Sequence, residues 1–259
     1  MEQHSYIPAE RQKRMIEYIE ANTSAQIHEL AERFGVSEAT VRRDLDEMDH
    51  RGRIKRTHGG AMKLDRSTAY ESKYSEKMNL MTDAKQRIAL RAAALVHNGD
   101  TVLLDSGTTT YFIAQQLSAL QDLTVITNDL GIALNTQLHP SSTLVVTGGM
   151  RRPGYQELVG SQAENFIQET RVNVAFLGAD GVDLAFGVTN ANFAEIGVKR
   201  LMIAAAMRPV LCCDHSKFGR ASLARICGLD RLSTIITDDG LDAEYAAKFR
   251  RLPLELMMV

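Results

Sequence analysis

The hexapeptide Asp105-Ser106-Gly107-Thr108-Thr109-Thr110 concentrates the most specific chemistry in the sequence. It follows a short apolar run, Thr101–Leu104, and opens a helical pattern. Hydroxyls and backbone N–H groups at a helix N-terminus, together with the helix dipole, favour an anion. Gly107 allows backbone to approach a ligand closely. The expected chemistry is a phosphate cradle. The loop is not a Walker loop, because no Gly-Lys-Ser/Thr follows, and it lacks the Gly-x-Gly-x-x-Gly spacing of a dinucleotide site. A capped strand-to-helix turn without a ligand is the alternative reading.

Further polar residues follow other apolar runs: Asn128, Gly148 and Gly149, Asp180, and Lys217. In open α/β sheets, ligands sit beyond the carboxyl ends of the strands. Asp105, Asn128 and Asp180 suit hydroxyl groups, or loop caps. Lys217 suits a phosphate or sugar oxygen, or is a solvated loop lysine. Glu195 and Lys199 stand four apart on a predicted helix, where a surface ion pair explains them equally well.

A second constellation lies near the N-terminus. Arg51, Arg53, Lys55, Arg56 and Lys63 are interrupted by no acid. Before them, Val41, Leu45 and Met48 mark the buried stripe of a helix. That leaves Ala39, Arg42, Arg43 and Asp46 pointing outward. A recognition helix needs this division, one face packing and the other entering the major groove. Arg42 and Arg43 are candidates for base or phosphate contacts. Ser37 and Thr40, at the helix start, could bond phosphates. Arg53, Lys55, Arg56 and His58 would track the DNA backbone and make binding salt-dependent. The bland alternative for Arg42 and Arg43 is an exposed pair balanced by Asp44, Asp46 and Glu47.

These groups need elements to position them. Pro8 can start a helix that stops near Asn22. Ile27, Leu30, Ala31 and Phe34 place a second amphipathic helix over about 26–34. Gly35-Val36-Ser37 is then the short turn of a helix-turn-helix, with Ser37 capping the third helix and Gly52 ending it. Arg53–Ala61 reads as a short strand and turn, the wing. Residues 63–80 are polar and read as an interdomain connection, in part helical. Beyond them, apolar runs at Thr101–Leu104, Leu123–Ile126, Thr143–Val146, Val172–Leu177, Pro209–Cys213, Thr234–Ile236 and Leu254–Met258 alternate with helical stretches. That alternation predicts an α/β domain with a mostly parallel sheet covered on both faces. The expected organisation is 1–62 winged helix-turn-helix, 63–80 linker and 81–259 effector domain.

Composition limits the remaining classes. The chain has 259 residues, 44% hydrophobic and 24% charged, with net charge −2. The global charge carries no nucleic-acid signal, so that case is local. Cys212, Cys213 and Cys227 have no metal-ligand spacing and read as reduced, inert thiols. No metal or other cofactor is implied. Early charges exclude an apolar leader, and no apolar run is long enough to span a membrane, so a cytoplasmic protein is expected.

Ser37-Glu38-Ala39-Thr40-Val41-Arg42-Arg43-Asp44-Leu45 with His58-Gly59-Gly60-Ala61 resembles the signature of the DeoR/GlpR family of bacterial regulators. The second half is similar to that family's effector domain at Asp105–Thr109, Thr127-Asn128, Gly148-Gly149, Gly178–Gly181, Glu195 with Lys199, and Asp214–Gly219. Asp129 departs from the pattern. The resemblance implies operator DNA binding, usually as a repressor, and control by a phosphorylated sugar or polyol. It also implies a homo-oligomer, dimer or tetramer, and an effector domain similar to ribose-5-phosphate isomerase. The segment Asp180–Asn192 looks closest to amino-sugar and alditol regulators. A sugar-phosphate isomerase with an appended DNA-binding domain is the competing function. Asp180, Glu195 and Lys217 could supply its acid–base groups, but the lysine-glycine-rich segment after the acidic loop of the isomerase is missing.

Overall fold

The computed structural model describes residues 7–50, 53–63 and 67–259. The chain divides into two compact units, Met1–Ser67 and Thr68–Val259.

The first unit is three helices and a small sheet. α1 (Pro8–Asn22) begins with proline at its first turn, where no N–H is required. β1 (Ser24–Gln26) follows, and then α2 (Ile27–Phe34). Gln26 caps α2, and its own N–H donates to Glu29. Gly35 ends the helix with φ 63°. α3 (Glu38–His50) starts where the Thr40 N–H donates to Ser37 Oγ. β2 (Lys55–Arg56) and β3 (Gly60–Met62) form the wing, and the sheet order is β1-β3-β2. Met15, Ile19, Leu30, Val41, Leu45, Met48 and Ile54 form its core. Arg51 and Gly52, part of the expected basic stretch and the expected helix stop, lie outside the described residues.

Gly60 is required by a close approach rather than by the turn. A Cβ there would sit 2.1 Å from the Ala25 carbonyl oxygen, across the β1–β3 pairing. Backbone cannot yield as a flexible side chain can. Gly60→Ala is therefore expected to destabilise this unit by about 1–3 kcal/mol, the range of overpacking. The unfolding transition of the N-terminal unit reads the effect; an unchanged midpoint would remove the argument.

The second unit begins earlier than the sequence suggests. Thr68 onward belongs to it, so most of the expected linker is part of its body. α4 (Tyr74–Asn79) lies in that segment, followed by α5 (Thr82–Ala93). The chain then alternates through β4 (Thr101–Leu104), α6 (Thr108–Gln115), β5 (Thr124–Thr127), α7 (Leu130–Asn135) and β6 (Thr143–Val146). A hairpin, β7 (Met150–Arg151) and β8 (Leu158–Val159), leads to α8 (Ser161–Gln168) and β9 (Val172–Leu177). β10 (Gly181–Asp183) and β11 (Gly187–Asn190) precede α9 (Ile196–Ala205) and β12 (Ala206–Cys212). β13 (Ala224–Cys227), β14 (Thr234–Thr237), α10 (Ala243–Phe249) and β15 (Glu255–Met258) complete it.

All seven apolar runs read from the sequence enter one sheet, in the order β15-β14-β12-β9-β4-β5-β6, and every pairing in it is parallel. Alternate strand residues pack on opposite faces. Val102, Leu104, Val174 and Phe176 meet α5, α6 and α7. Leu103, Ala175, Leu177 and Leu211 meet α8, α9 and α10. A parallel sheet is stable only when both faces are covered this way. The hairpin β7–β8 and the antiparallel sheet β10-β11-β13 were not expected from the sequence. Cys212 and Cys213 are buried at the end of β12, as expected, and burial pushes both thiols well up.

The strand order reverses between β4 and β9. From β4 the chain runs outward to β5 and β6, then returns to β9 on the other side of β4. Such a switch leaves a crevice at the carboxyl ends of the two strands.

Candidate functional site

On α3, Val41, Leu45 and Met48 are buried, while Ala39, Arg42, Arg43 and Asp46 are exposed. The division expected of a reading helix is present. The acids do not balance the arginines in the way the bland reading required. Asp44 is buried, accepting from Arg11 Nε at 2.7 Å and from Gln12 Nε2 at 3.0 Å, so it ties α3 to α1. Arg42 pairs with Glu38 at 2.8 Å in an exposed i,i+4 contact, which contributes little and is readily exchanged. Arg43 is exposed and makes no ion pair among the described residues. Lys55 and His58 are exposed on the wing. Arg56 donates from Nε to Asp46 at 2.9 Å and from Nη1 to the Gly60 carbonyl at 3.3 Å, bracing the wing on α3. The Ser37 hydroxyl is occupied as the cap of α3, bonded to Thr40.

In the second unit, Asp105 leaves β4 and Gly178 leaves β9, so they face each other at the switch. The Gly178 N–H donates to Asp105 Oδ2 at 2.9 Å. The Lys199 ammonium donates to the same carboxylate and, at 3.2 Å, to the Gly178 carbonyl. Glu195 Oε2 lies 3.9 Å from Lys199 Nζ. Asp105, Glu195 and Lys199 are only 1%, 5% and 2% exposed, so the surface ion-pair reading of Glu195 and Lys199 is excluded. Burial alone would pull the Lys199 ammonium down; Asp105 and Glu195 outweigh it and raise it.

Around this pair lies a larger charged knot. The Arg152 guanidinium contacts Glu71, Glu157 and Glu195, and stacks over the Tyr155 ring at 3.8 Å. Asn190 Nδ2 donates to the second oxygen of Glu195. Lys77, on α4, donates to Asp180 at 2.9 Å and Glu71 at 3.3 Å. Burial would raise Asp180, but Lys77, Lys217 and the Ala191 N–H outweigh it and hold the carboxyl down at about 2. Glu157 and Glu195 move the other way. Burial raises both well above the usual carboxylate range, against the pull of Arg152 and Lys199.

The 105–110 loop runs into α6 as expected. Ser106 donates to Asp129 at 2.7 Å, and Thr110 donates to the Gly107 carbonyl at 2.8 Å. Thr108 and Thr109 sit, buried, in the first turn. Asp129 caps α7 by accepting the Ile132 N–H, which gives its departure from the family pattern a local role. Asn128 donates to the Leu158 carbonyl at 3.1 Å. Two acceptors are left over: Asp105 Oδ1 and Asn128 Oδ1 are buried and have no donor. The Lys217 ammonium makes no hydrogen bond among the described residues. Gly148 and Gly149 join β6 to the hairpin, and a Cβ on Gly149 would meet the Val159 carbonyl at 2.8 Å; packing alone accounts for that glycine.

Sequence reasoning missed Glu71, Lys77, Arg152, Glu157 and Asn190. Glu71 and Lys77 lie in the segment read as linker, and Arg152 and Glu157 on the unexpected hairpin. No spacing rule singles them out. Among the described residues, no cluster of His, Cys, Asp and Glu could hold a metal ion, and no helix is long and apolar enough to cross a membrane.

Residues 11–67 match the family described as the DeoR-like helix-turn-helix domain, and residues 80–239 the DeoR C terminal sensor domain. The chain is 35% identical to the HTH-type transcriptional regulator GlpR of Haloferax volcanii, over 92% of each chain. It is 34% identical to a putative aga operon transcriptional repressor of Escherichia coli O157:H7, over 97% of this chain and 94% of that one. To the regulator IolR of Bacillus subtilis it is 31% identical, over 91% and 93%. Among solved structures, ribose 5-phosphate isomerase from Plasmodium falciparum superposes with a TM-score of 0.38 at 15% identity, over 53% of each chain.

Proposed function

We propose that this chain, which belongs to the DeoR family of transcriptional regulators, is a cytoplasmic repressor of a carbohydrate operon whose hold on operator DNA is set by a phosphorylated sugar or polyol. It performs no catalysis in this reading. The observation that carries the effector half is the pair of buried, donorless acceptors: Asp105 Oδ1 at the sheet's switch point, where β4 runs into α6, and Asn128 Oδ1 at the end of the neighbouring strand β5. An acceptor buried without a donor costs about 1–3 kcal/mol. Sugar hydroxyls are donors of the required kind. The phosphate would meet the Ser106–Thr109 N–H groups and Lys217, while Asp180, Glu195 and Lys199 hold the walls of the site. The isomerase reading lacks support, since Glu195 and Lys199 are locked in buried pairs.

The DNA half rests on the exposed Arg42 and Arg43 with Ala39 and Thr40 on α3, and on Arg53, Lys55, Arg56 and His58 in or beside the wing. Arg43→Ala is expected to weaken operator binding by about 1–3 kcal/mol, the worth of a bidentate base contact. Lys55→Ala should act more uniformly across sequences and lower the salt slope by about 1. Fluorescence anisotropy with the chain's own promoter duplex measures both, and unchanged affinity in Arg43→Ala would reject α3 as the reader.

For the effector, a thermal-shift panel of sugar, amino-sugar and alditol phosphates is the direct test. A ligand at ~100 times its Kd stabilises the fold by ~2.7 kcal/mol. The response should vanish in Asp105→Asn, and the active compound should change operator affinity. A panel without any response, or a response untouched in Asp105→Asn, would sink the reading.

A further inference from the structure

The seven-stranded sheet has two open edges, and they are built differently. β15 is guarded: Pro253 precedes it and Glu255 opens it, with Arg250 and Arg251 just before. Charge and proline at an edge are the usual means of preventing strand-to-strand association. β6, at the other end, also follows a proline, Pro140, but carries no charge. From Leu130 to Met150 the sequence contains no Asp, Glu, Lys or Arg, so α7, β6 and their connections are free of formal charge.

The edge of β6 is also open in its backbone. The Thr143 N–H donates to Leu123 O at 2.8 Å, and the Thr147 N–H to Thr127 O at 3.1 Å. In a parallel ladder a residue's N–H and C=O point to the same side, and neighbours alternate. Thr143, Val145 and Thr147 therefore face β5, and Leu144 and Val146 turn their amides outward, where no strand among the described residues meets them. Val146 is 38% exposed at this rim, and Leu134 of α7, which packs beside β6, is 82% exposed.

We propose that β6 is the dimer seam of this protein: it pairs antiparallel with β6 of a second copy about a two-fold axis, joining two parallel sheets into one continuous sheet. A charge-free edge offers no charge pattern by which a different partner could be selected. Pairing with its own copy needs none, because one strand supplies both the donor and the acceptor row, the self-complementarity that a two-fold interface requires. With Val145 opposite its own copy, Leu144 and Val146 of the partner face each other as hydrogen-bonded pairs, giving about four backbone bonds. Leu134 and Val146 of both copies then add apolar contact on the flanks, since strand pairing alone falls below the area of a stable interface.

The proposal is independent of the effector and of the DNA reading. Its test is the molar mass of the full-length chain, by light scattering, for the wild type, Val146→Lys and, at the guarded edge, Met258→Lys. The expected result is that Val146→Lys has half the molar mass of the wild type, that Met258→Lys has the wild-type mass, and that far-UV circular dichroism at low temperature is the same for all three. If Val146→Lys fails to fold, Thr143→Lys, at a side chain already exposed on the same strand, takes its place with the same expectation. A monomeric wild type, a lysine on β6 that leaves the mass unchanged, or dissociation by Met258→Lys would each overturn the proposal.

Discussion

Lys199→Met is expected to cost about 3–5 kcal/mol of stability in the second unit, the penalty for stripping one partner from a buried ion pair. The ammonium it removes is the counter-charge of Asp105 and lies beside Glu195, all three nearly inaccessible to water. Asp105 would keep the Gly178 N–H and lose everything else that offsets its burial. For a unit of this size each kcal/mol moves the unfolding midpoint by about 2–4 °C, so the change should be roughly 10 °C. Lys199→Met with Asp105→Asn should recover a large part of it, because the neutral amide removes the stranded charge and can still accept the Gly178 N–H. Differential scanning calorimetry on the single and double variants decides the matter. A single variant within about 1 kcal/mol of the wild type would show that the pair is not the keystone its burial suggests.

Arg152→Met should be costly and, unlike most core lesions, strongly pH-dependent. One guanidinium neutralises Glu71, Glu157 and Glu195. Burial already raises Glu157 and Glu195 above their ordinary value of 4.5. A carboxyl whose folded-state value is raised contributes stability in its protonated form. That contribution is full below its unfolded value and is lost as pH rises through the folded one. Asp180 is lowered instead, so its contribution is present above the ordinary value of 3.8 and is lost in acid. The wild-type unit should thus be most stable in mild acid and lose stability towards neutrality. Removing Arg152 raises the two glutamates further and carries that loss on to higher pH, at up to ~1.4 kcal/mol per pH unit for each proton involved. Urea midpoints should place the variant about 3–5 kcal/mol below the wild type at pH 8 and at most half as far at pH 5. An equal deficit at both pH values would mean that lost packing over Tyr155, not charge, is the cause.

Much of this protein is legible in its sequence because two periodicities report it directly. Short apolar runs become parallel strands buried on both faces, and all seven found places in the sheet. The i, i+3, i+4 stripe of Ile27, Leu30 and Ala31 fixed α2, and the short turn after Gly35 fixed α3. In the candidate site, Asp105, Asp180, Glu195 and Lys199 stand out as polar residues at strand ends or four apart on a helix. What was not legible shares one property: its meaning depends on contacts distant along the chain. Lys77 looks like a solvated charge until Asp180 is brought to it. Arg152 and Glu157 look like a surface turn until Glu195 and Glu71 close over them. Asp44 reads as an outward counter-ion, yet Arg11 and Gln12 of α1 draw it inward. Gly60 reads as turn chemistry, whereas the Ala25 carbonyl is the constraint.

The adjacency of β4 and β9 also fixes an order in time. Asp105 leaves β4, but its partners Gly178 and Lys199 come from the end of β9 and from α9, so the pair cannot assemble until the chain through α9 exists. Closing such long loops is the slow part of folding, whereas local contacts form early. The helix-turn-helix needs only neighbouring residues and emerges first from the ribosome. On every nascent chain, the contacts that close the helix-turn-helix unit are therefore available before those that close the parallel sheet of the second unit.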